Sequence, residues 1–541
     1  MGRRGSHSPG LEQLGAQQDE GFHKIRMTCQ LAASKCILYA WIDTCCIDKS
    51  NSTELSEAIN SMYRWYETAH VCFAYLSDFR LPASNVPQDA MLLGTYLREC
   101  RWFYRGWTLQ ELIAPSSILF YQKDWEFVGS KKDWNDALTR VTRISPKAIY
   151  DYYPGEYSIA ERMSWASNRE TTREEDKAYC LLGIFNVNMP MLYGEGAKAF
   201  RRLQEVIIQT GYDVSIFSWT RYYYNPEENK QPVPAFGAFA DAPGNFHSIP
   251  ESLIVHDGNE VSVTNAGVKL TLELFVLPGS TDDESSDYVL PLCIGGVVFT
   301  VKDEFGFEKL PALGVKLRMI SPGRFVRPTF QNLVKLPGDG EADVVRRVRY
   351  PDAYILIDPT YKTVCNLKNN VKHKTSFSLP SGCTVVKAWP SGSWNYTQNE
   401  FMTVAGESIF GSILLQVQSP TLADDGLAGQ CWTGEFMFLF SELPDKLLPN
   451  TQYTIVGYRE HQLVLDTINL SLAAGDMDTV EMRRTLRNFA IPTQRTAAVP
   501  VEEKQKYIYT SVDIHFENRY TFESWSVAFE NEQELWSTKI W

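Results

Sequence analysis

No stretch of this 541-residue chain is long and apolar enough to span a bilayer. The longest apolar run, "YVLPLCIGGVVFTV" (288–301), falls short of the roughly 20 residues a transmembrane helix needs and is broken by a Gly-Gly pair. Positive charge is also scarce. The net charge is -13 and no block of Lys and Arg reverses it locally, which argues against a general binder of nucleic acid or anionic membranes. The N-terminus has no apolar h-region, so secretion is not expected. The 11 cysteines follow no regular spacing and are odd in number. That pattern fits reduced thiols in a cytoplasmic protein, not a disulfide framework.

What is present is the composition of an ordinary globular protein, 44% hydrophobic and 22% charged. The length suggests about two to four domains. "MGRRGS" has the N-myristoylation form, with Gly2 and Ser6 at the required spacing. A single acyl chain assisted only by Arg3 and Arg4 is a weak anchor, so the preferred reading of residues 1–20 is a disordered polar tail.

From Gly21 to about Ser34, apolar residues recur at helical spacing (Phe22, Ile25, Cys29, Ala32). "ILYAWID" (37–43) then reads as a strand buried on both faces. In "NSTELSEAINSMYRWYETA" (51–69), Asn51 is an N-cap with Glu54 three residues on, a capping-box arrangement, and Leu55, Ile59, Met62 and Tyr66 form one face. "HVCFAYLSD" (70–78) and "SSILFYQ" (116–122) are further strands, with "RWFYRGWTLQELIA" (101–114) helical in its second half. Alternating strands and helices predict an α/β domain whose mostly parallel sheet includes 38–43, 71–76 and 117–121. From about 130 to 210 the pattern is helical, one helix starting at Thr171 or Thr172 ahead of Glu174 and Glu175. "YYYNPEENKQPVP" (222–234) is a polar linker. Beyond it, short alternating segments such as "EVSVTNAGVKLTLELFVL", "CTVVKAW", "SILLQVQ" and "QLVLDTINLSL" predict an antiparallel β architecture, a sandwich or paired sheets.

"YAWIDTCCIDKS" (39–50) holds the first candidate site. Adjacent Cys45 and Cys46 cannot easily both ligate one tetrahedral zinc, and no C-x-x-C partner exists elsewhere. A nucleophilic cysteine with His70 as base has nothing to position it. The expectation is buried, reduced thiols without metal. Asp43 sits where the strand stops, and ligands of open α/β sheets bind beyond the carboxyl ends of strands; it equally suits a cap of the next helix. "YGEGAKAF" (193–200) shares glycines with a phosphate loop but lacks the Gly-Lys-Ser/Thr ending, and is read as a helix start. The aromatic density at 102–107 is read as core.

Three long segments, "YAWIDTCCIDKSNSTELSEAINSMYRWYETAHVCFAYLSD", "RWFYRGWTLQELIAP" and "ERMSWASNRETTREEDKAYCLLGIFNVNMPMLYGEGAKAFRRLQEVII", resemble in order and spacing the fungal heterokaryon-incompatibility (HET) domain. The resemblance covers about residues 21–215. It implies a distant likeness to Toll/interleukin-1 receptor (TIR) domains, which are flavodoxin-like, and some of which hydrolyse NAD with a glutamate on a helix that opens with a tryptophan motif. "RGWTLQEL" resembles that motif. By this resemblance Glu111 takes the catalytic place, Trp107 packs on the nicotinamide, and Asp43 and Asp48 belong to the ligand-binding loop. The opening family strand, approximately "YAxLSHxWG", is not found before residue 21.

The resulting expectation is a disordered tail (1–20), a HET domain of TIR-like α/β fold with a helical extension and its first strand missing (21–215), a linker (216–235) and a β-rich C-terminal region (236–541). Its function would be allorecognition leading to programmed cell death, with NAD as a substrate, no metal, protein partners or self-association, and a cytoplasmic location. The alternatives are a non-catalytic interaction module and a degenerate, truncated paralogue.

Overall fold

Residues 20–220, apart from 82–86, 88 and 212, and separate stretches between 235 and 531 are described by a computed structural model of the chain. The tail before residue 20, the 222–234 linker segment and the strand expected at 462–472 lie outside the described residues. The chain divides into two compact units. One comprises Met1–Tyr222, Phe239–Gly258 and Leu292–Leu310; the other comprises Tyr223–Ala238, Asn259–Pro291 and Pro311–Trp541.

The first unit opens with α1 (Glu20–Ser34), as the helical spacing predicts. The next segment corrects the sequence reading. Residues 37–42 form no strand, Leu38 and Tyr39 are 88% and 89% exposed, and the chain turns at once into a four-residue helix, α2 (Asp43–Cys46). An apolar run becomes a buried strand only where neighbouring strands take up its backbone groups, and no described strand pairs with this one. Cys45 and Cys46 consequently are not buried: Cys45 is half-buried and Cys46 exposed.

Helix α3 (Ser52–Glu67) starts where Asn51 accepts from the backbone N–H of Thr53 and Glu54. Glu54 does not close the expected capping box on Asn51. It takes the N–H of Asp48 at 3.1 Å and so fixes the loop before the cap. Strand β1 (Cys72–Tyr75), α4 (Ala90–Leu97), α5 (Thr108–Ile113), β2 (Ile118–Tyr121) and β3 (Phe127–Ser130) follow. β1 and β2 pair in parallel, Cys72 opposite Ile118, whereas β3 returns antiparallel to β2. The sheet is therefore three-stranded and mixed, in the order β1-β2-β3.

Short helices complete the unit: α6 (Asn135–Thr142), α7 (Pro146–Tyr150), α8 (Ile159–Ser164), α9 (Asp176–Tyr179), α10 (Leu182–Phe185) and α11 (Lys198–Thr210). The helix expected from Thr171 or Thr172 starts only at Asp176, after a turn in which the Thr171 hydroxyl donates to the Arg173 carbonyl. The fully buried Gln204 on α11 donates to the Ala240 carbonyl and accepts its N–H, both at 2.9 Å. That pair ties Ala240 back onto α11.

The second unit is β-rich, with seven-, six- and four-stranded sheets among the described residues. The pairing is mostly antiparallel, including the hairpin Val261–Thr264 with Gly267–Val276 that the alternation predicts. Parallel pairs occur between Arg324–Val326 and Arg346–Ile355, and between Val371–Ser378 and Tyr520–Asn531. A helix, Tyr361–Asn370, interrupts the β pattern. Inside this unit Tyr288 and Tyr350 are fully buried with their hydroxyls 2.8 Å apart; Tyr288 also donates to Asn395 and accepts the Tyr396 N–H. Burial is tolerated there because each hydroxyl is satisfied.

Helices α10 and α3 approach each other closely at Gly183. A Cβ added at Gly183 would stand 2.1 Å from Cβ of Tyr63, an atom fixed to the α3 backbone that cannot swing away. Gly183→Ala is therefore expected to cost about 1–3 kcal/mol despite its better helix propensity. Urea denaturation of the full chain checks this, and an unchanged or raised midpoint would contradict the close approach.

Candidate functional site

The short helix α5 carries Glu111 and cannot stand alone, since a single helical turn does not repay its nucleation. Leu109, Leu112 and Ile113 anchor it in the core. At its start the Thr108 hydroxyl bonds the carbonyls of Trp102 and Arg105. Nη1 of Arg169 donates to the same Arg105 carbonyl and to Thr108 Oγ1, both at 2.9 Å. At its end the buried Lys131 donates to the carbonyls of Ile113 (3.2 Å) and Pro115 (2.6 Å). Burial pushes the Lys131 ammonium down to about 8. The segment leading into the helix is thus tied down, and the Ile113 carbonyl at its end is satisfied.

Glu111 keeps part of its surface exposed, but its carboxyl is closely enclosed by protein. Burial, first, and the nearby Asp43 charge raise it to about 7 from 4.5; Arg105, the Tyr66 hydroxyl and Arg169 act the other way. The Tyr66 hydroxyl donates to the Glu111 carboxylate, and burial holds Tyr66 well above its ordinary value. Cys72 on β1 also feels Glu111, its thiol raised chiefly by burial. Arg169 is lowered to about 10 by burial, opposed by Cys180 and Glu111.

The structure thus brings Asp43 to Glu111, and adds Tyr66, Arg105 and Arg169, which the sequence reading missed. Arg169 lies in "SNRETTREED" and Tyr66 on the apolar face of α3; neither type nor spacing marked them as partners of Glu111. Asp48 is placed otherwise: it is exposed and turned on Ser50, accepting from its N–H at 2.9 Å and its hydroxyl at 2.6 Å. Trp107 rests, half-buried, against the cluster of Ile47, Ala58 and Met62 with Trp41 and Tyr66, and its indole N–H donates to Asp176 at 3.2 Å. The Trp41 ring centroid is 5.7 Å from that of Tyr66, edge to face. Cys45 is raised to about 11 by burial and by Cys46, so its thiol is protonated and slow to react at neutral pH. The two sulfurs lie 4.0 Å apart without a bond.

A second constellation surrounds α9. Glu175 accepts the N–H groups of Gly194 (2.7 Å) and Gly196 (3.1 Å), both glycines with positive φ. Asp176 accepts from the Tyr193 hydroxyl at 2.9 Å as well as from Trp107. Glu195 pairs with Arg202 and accepts from Tyr179. The donors of the "YGEG" loop are taken by a carboxylate of the chain itself, so this loop is a strut and no phosphate cradle. Among the described residues no group of three or more His, Cys, Asp or Glu is arranged to hold a metal, and no helix is long and apolar enough to cross a membrane.

An enclosed carboxyl beside arginine and tyrosine on an α/β unit is the candidate site, and comparison with known proteins finds likenesses for part of the chain. The model of the family "Heterokaryon incompatibility protein (HET)" matches residues 13–91, and that of "Domain of unknown function (DUF8212)" matches 198–251. Over 188 residues, 35% of this chain, the sequence is 45% identical to Vegetative incompatibility protein HET-E-1 of Podospora anserina. The N-terminal part of the chain is thus similar to the HET domain and to a fungal vegetative incompatibility protein. It spans 14% of the length of that relative. No solved structure matches it.

The raised Glu111 has a consequence for stability. Its folded value lies above the unfolded one, so its contribution is intact at low pH and is lost as the pH rises from 4.5 through about 7. Glu111→Gln keeps the shape and removes the charge that burial opposes. Allowing for screening at the exposed part, the variant should be more stable than wild type by about 1–3 kcal/mol at pH 8, with little difference at pH 5. Paired urea titrations at the two pH values check it; a Gln variant less stable at pH 8 would mean that Glu111 is held as a paired anion.

Proposed function

We propose that this chain serves in heterokaryon incompatibility, as a non-self response that ends in cell death, and that its HET domain acts by TIR-like hydrolysis of NAD. The role in incompatibility is supported by the family match and by the likeness to a vegetative incompatibility protein. The parallel β1–β2 pair, joined through α4 and α5, is compatible with a flavodoxin-like ancestry.

One observation carries the catalytic reading: Glu111 is the carboxyl that α5 holds beside Tyr66, Asp43 and two arginines, with its proton equilibrium at about 7. Cleaving the bond between ribose C1′ and the nicotinamide nitrogen leaves the electron pair on nicotinamide and oxocarbenium character on the ribose. A carboxylate there stabilises that cation until water adds at C1′ and loses a proton, giving ADP-ribose. Asp43 lies close enough to assist by charge. The partly covered Trp107, with Trp41 and Tyr66, offers an aromatic wall for the base. Asp48, committed to Ser50, shapes the loop and takes no direct part.

A non-catalytic interaction module is the second reading, favoured by the exposed Leu38 and Tyr39 and by Met91, Leu92 and Tyr96 on α4. NAD consumption by the full chain separates the two. Glu111→Gln should slow turnover by about a hundredfold or more. Wild-type turnover should rise with pH through about 7, as Glu111 ionises. Equal turnover by wild type and variant would remove Glu111 from the chemistry. No turnover by either, with cell death still triggered on expression, would favour the interaction module.

A further inference from the structure

We propose that Arg105 and Arg169 form an anion-binding pair beside Glu111, fitted to the diphosphate of a dinucleotide. The inference deepens the reading above by assigning the phosphate end of the substrate, and it rests on that reading for the identity of the dinucleotide.

The geometry of Arg169 points to it. Its Nη1 is fully engaged, holding the Arg105 carbonyl and Thr108 Oγ1 at 2.9 Å each. Its Nη2 is buried and has no hydrogen-bond acceptor. Buried donors are almost always satisfied, and a guanidinium is among the most costly groups to leave otherwise, so an orphaned Nη2 next to a candidate site calls for an acceptor from outside the chain. Arg105 supplies the second cation. Its backbone pairs with Glu170 in a parallel bridge, which keeps residues 105 and 169 adjacent, while its side chain is exposed.

Charge favours a dianion. The groups facing the site are the two guanidinium ions, the carboxyls of Glu111 and Asp43, the Tyr66 hydroxyl, and the Cys72 and Cys180 thiols. Asp43 is exposed and already accepts from Thr44, so its charge is screened by water. With Glu111 partly protonated near neutrality, positive charge is in excess around Nη2. Two guanidinium groups that both act on Glu111 suit two linked phosphates better than one carboxylate, because each planar fork can take a pair of oxygens. Glu111, one helical turn from Thr108, then stands beside the bound diphosphate, where a ribose attached to it would lie.

The test measures binding of ADP, inorganic pyrophosphate, adenosine and nicotinamide riboside to the full chain by calorimetry, with NAD turnover followed in parallel. ADP and pyrophosphate should bind, adenosine far more weakly, and added salt should weaken ADP. Arg105→Gln, at an exposed position that leaves the fold alone, should lower ADP affinity by about tenfold or more. Arg169→Lys keeps the charge but not the two nitrogens, and should lower it as well; if that variant is unfolded by circular dichroism, the Arg105 result decides. Equal binding of ADP and adenosine, or unchanged ADP affinity in folded Arg105→Gln, would overturn the proposal. Arginine-dependent ADP binding without any NAD turnover would leave the anion pair standing and sink the catalytic reading. Glu111-dependent turnover that accepts nicotinamide riboside as well as NAD, and ignores Arg105→Gln, would do the reverse.

Discussion

Holding one helical turn in place is the constraint on which the first unit depends. Helix α5 has six residues and no capping side chain at its own N-cap position, so its conformation comes from its surroundings. Three side chains hold it: Thr108 of the helix itself reaching back to Trp102, Arg169 reaching from beyond α8, and Lys131 reaching from the turn after β3. Two of these three are cations drawn into protein, and both are lowered by burial. Their hydrogen bonds to carbonyls offset part of that desolvation, and the arrangement aims Glu111 at Tyr66 rather than at solvent.

The acidic pair at the start of α9 extends this frame. Glu175 fixes the backbone of the 193–196 loop and Asp176 fixes Trp107, so two consecutive carboxylates couple a distant loop to the residue that opens α5. Arg202 and Glu195 close the other side through the Tyr179 hydroxyl. Each acid meets donors that would otherwise lack partners. The contrast identifies Glu111 as unusual: donors hold Glu175 below its ordinary value, whereas burial and Asp43 outweigh Tyr66 and two arginines at Glu111 and raise it.

Much of this was legible from residue pattern. The Asn51 cap, the α3 face, the strands around 72–75 and 118–121 and the β alternation beyond 260 are local signals, and local signals were read correctly. What failed was tertiary. "ILYAWID" has the composition of a buried strand, yet a strand is made by its neighbours, and here Leu38 and Tyr39 face solvent. Glu54 satisfied the spacing of a capping box but found Asp48 instead, three residues earlier, because the loop folds back over the helix start. Thr171 looked like a cap and was captured by a local carbonyl. Of the candidate site, the resemblance supplied Glu111, and position at a segment end supplied Asp43. Tyr66, Arg105 and Arg169 could not be read, since nothing in a linear pattern says that residues 45 and 58 positions from Glu111 will enclose it.

The same reasoning explains why a carboxyl, and not an apolar residue, can be tolerated at position 111. A leucine there would bury well but would leave the Tyr66 hydroxyl without this acceptor, and the two arginines without this carboxyl. Removing the charge therefore has two opposed effects. It relieves the desolvation of Glu111 itself, and it removes the attraction of that carboxylate for Arg105 and Arg169. Without an anion the first effect wins above pH 7, and a bound anion would take over the neutralising role that Glu111 plays in its absence. A protein tuned this way is less well neutralised when empty than when filled, and the balance of charge around α5 links ligand occupancy to the firmness with which the helix is held.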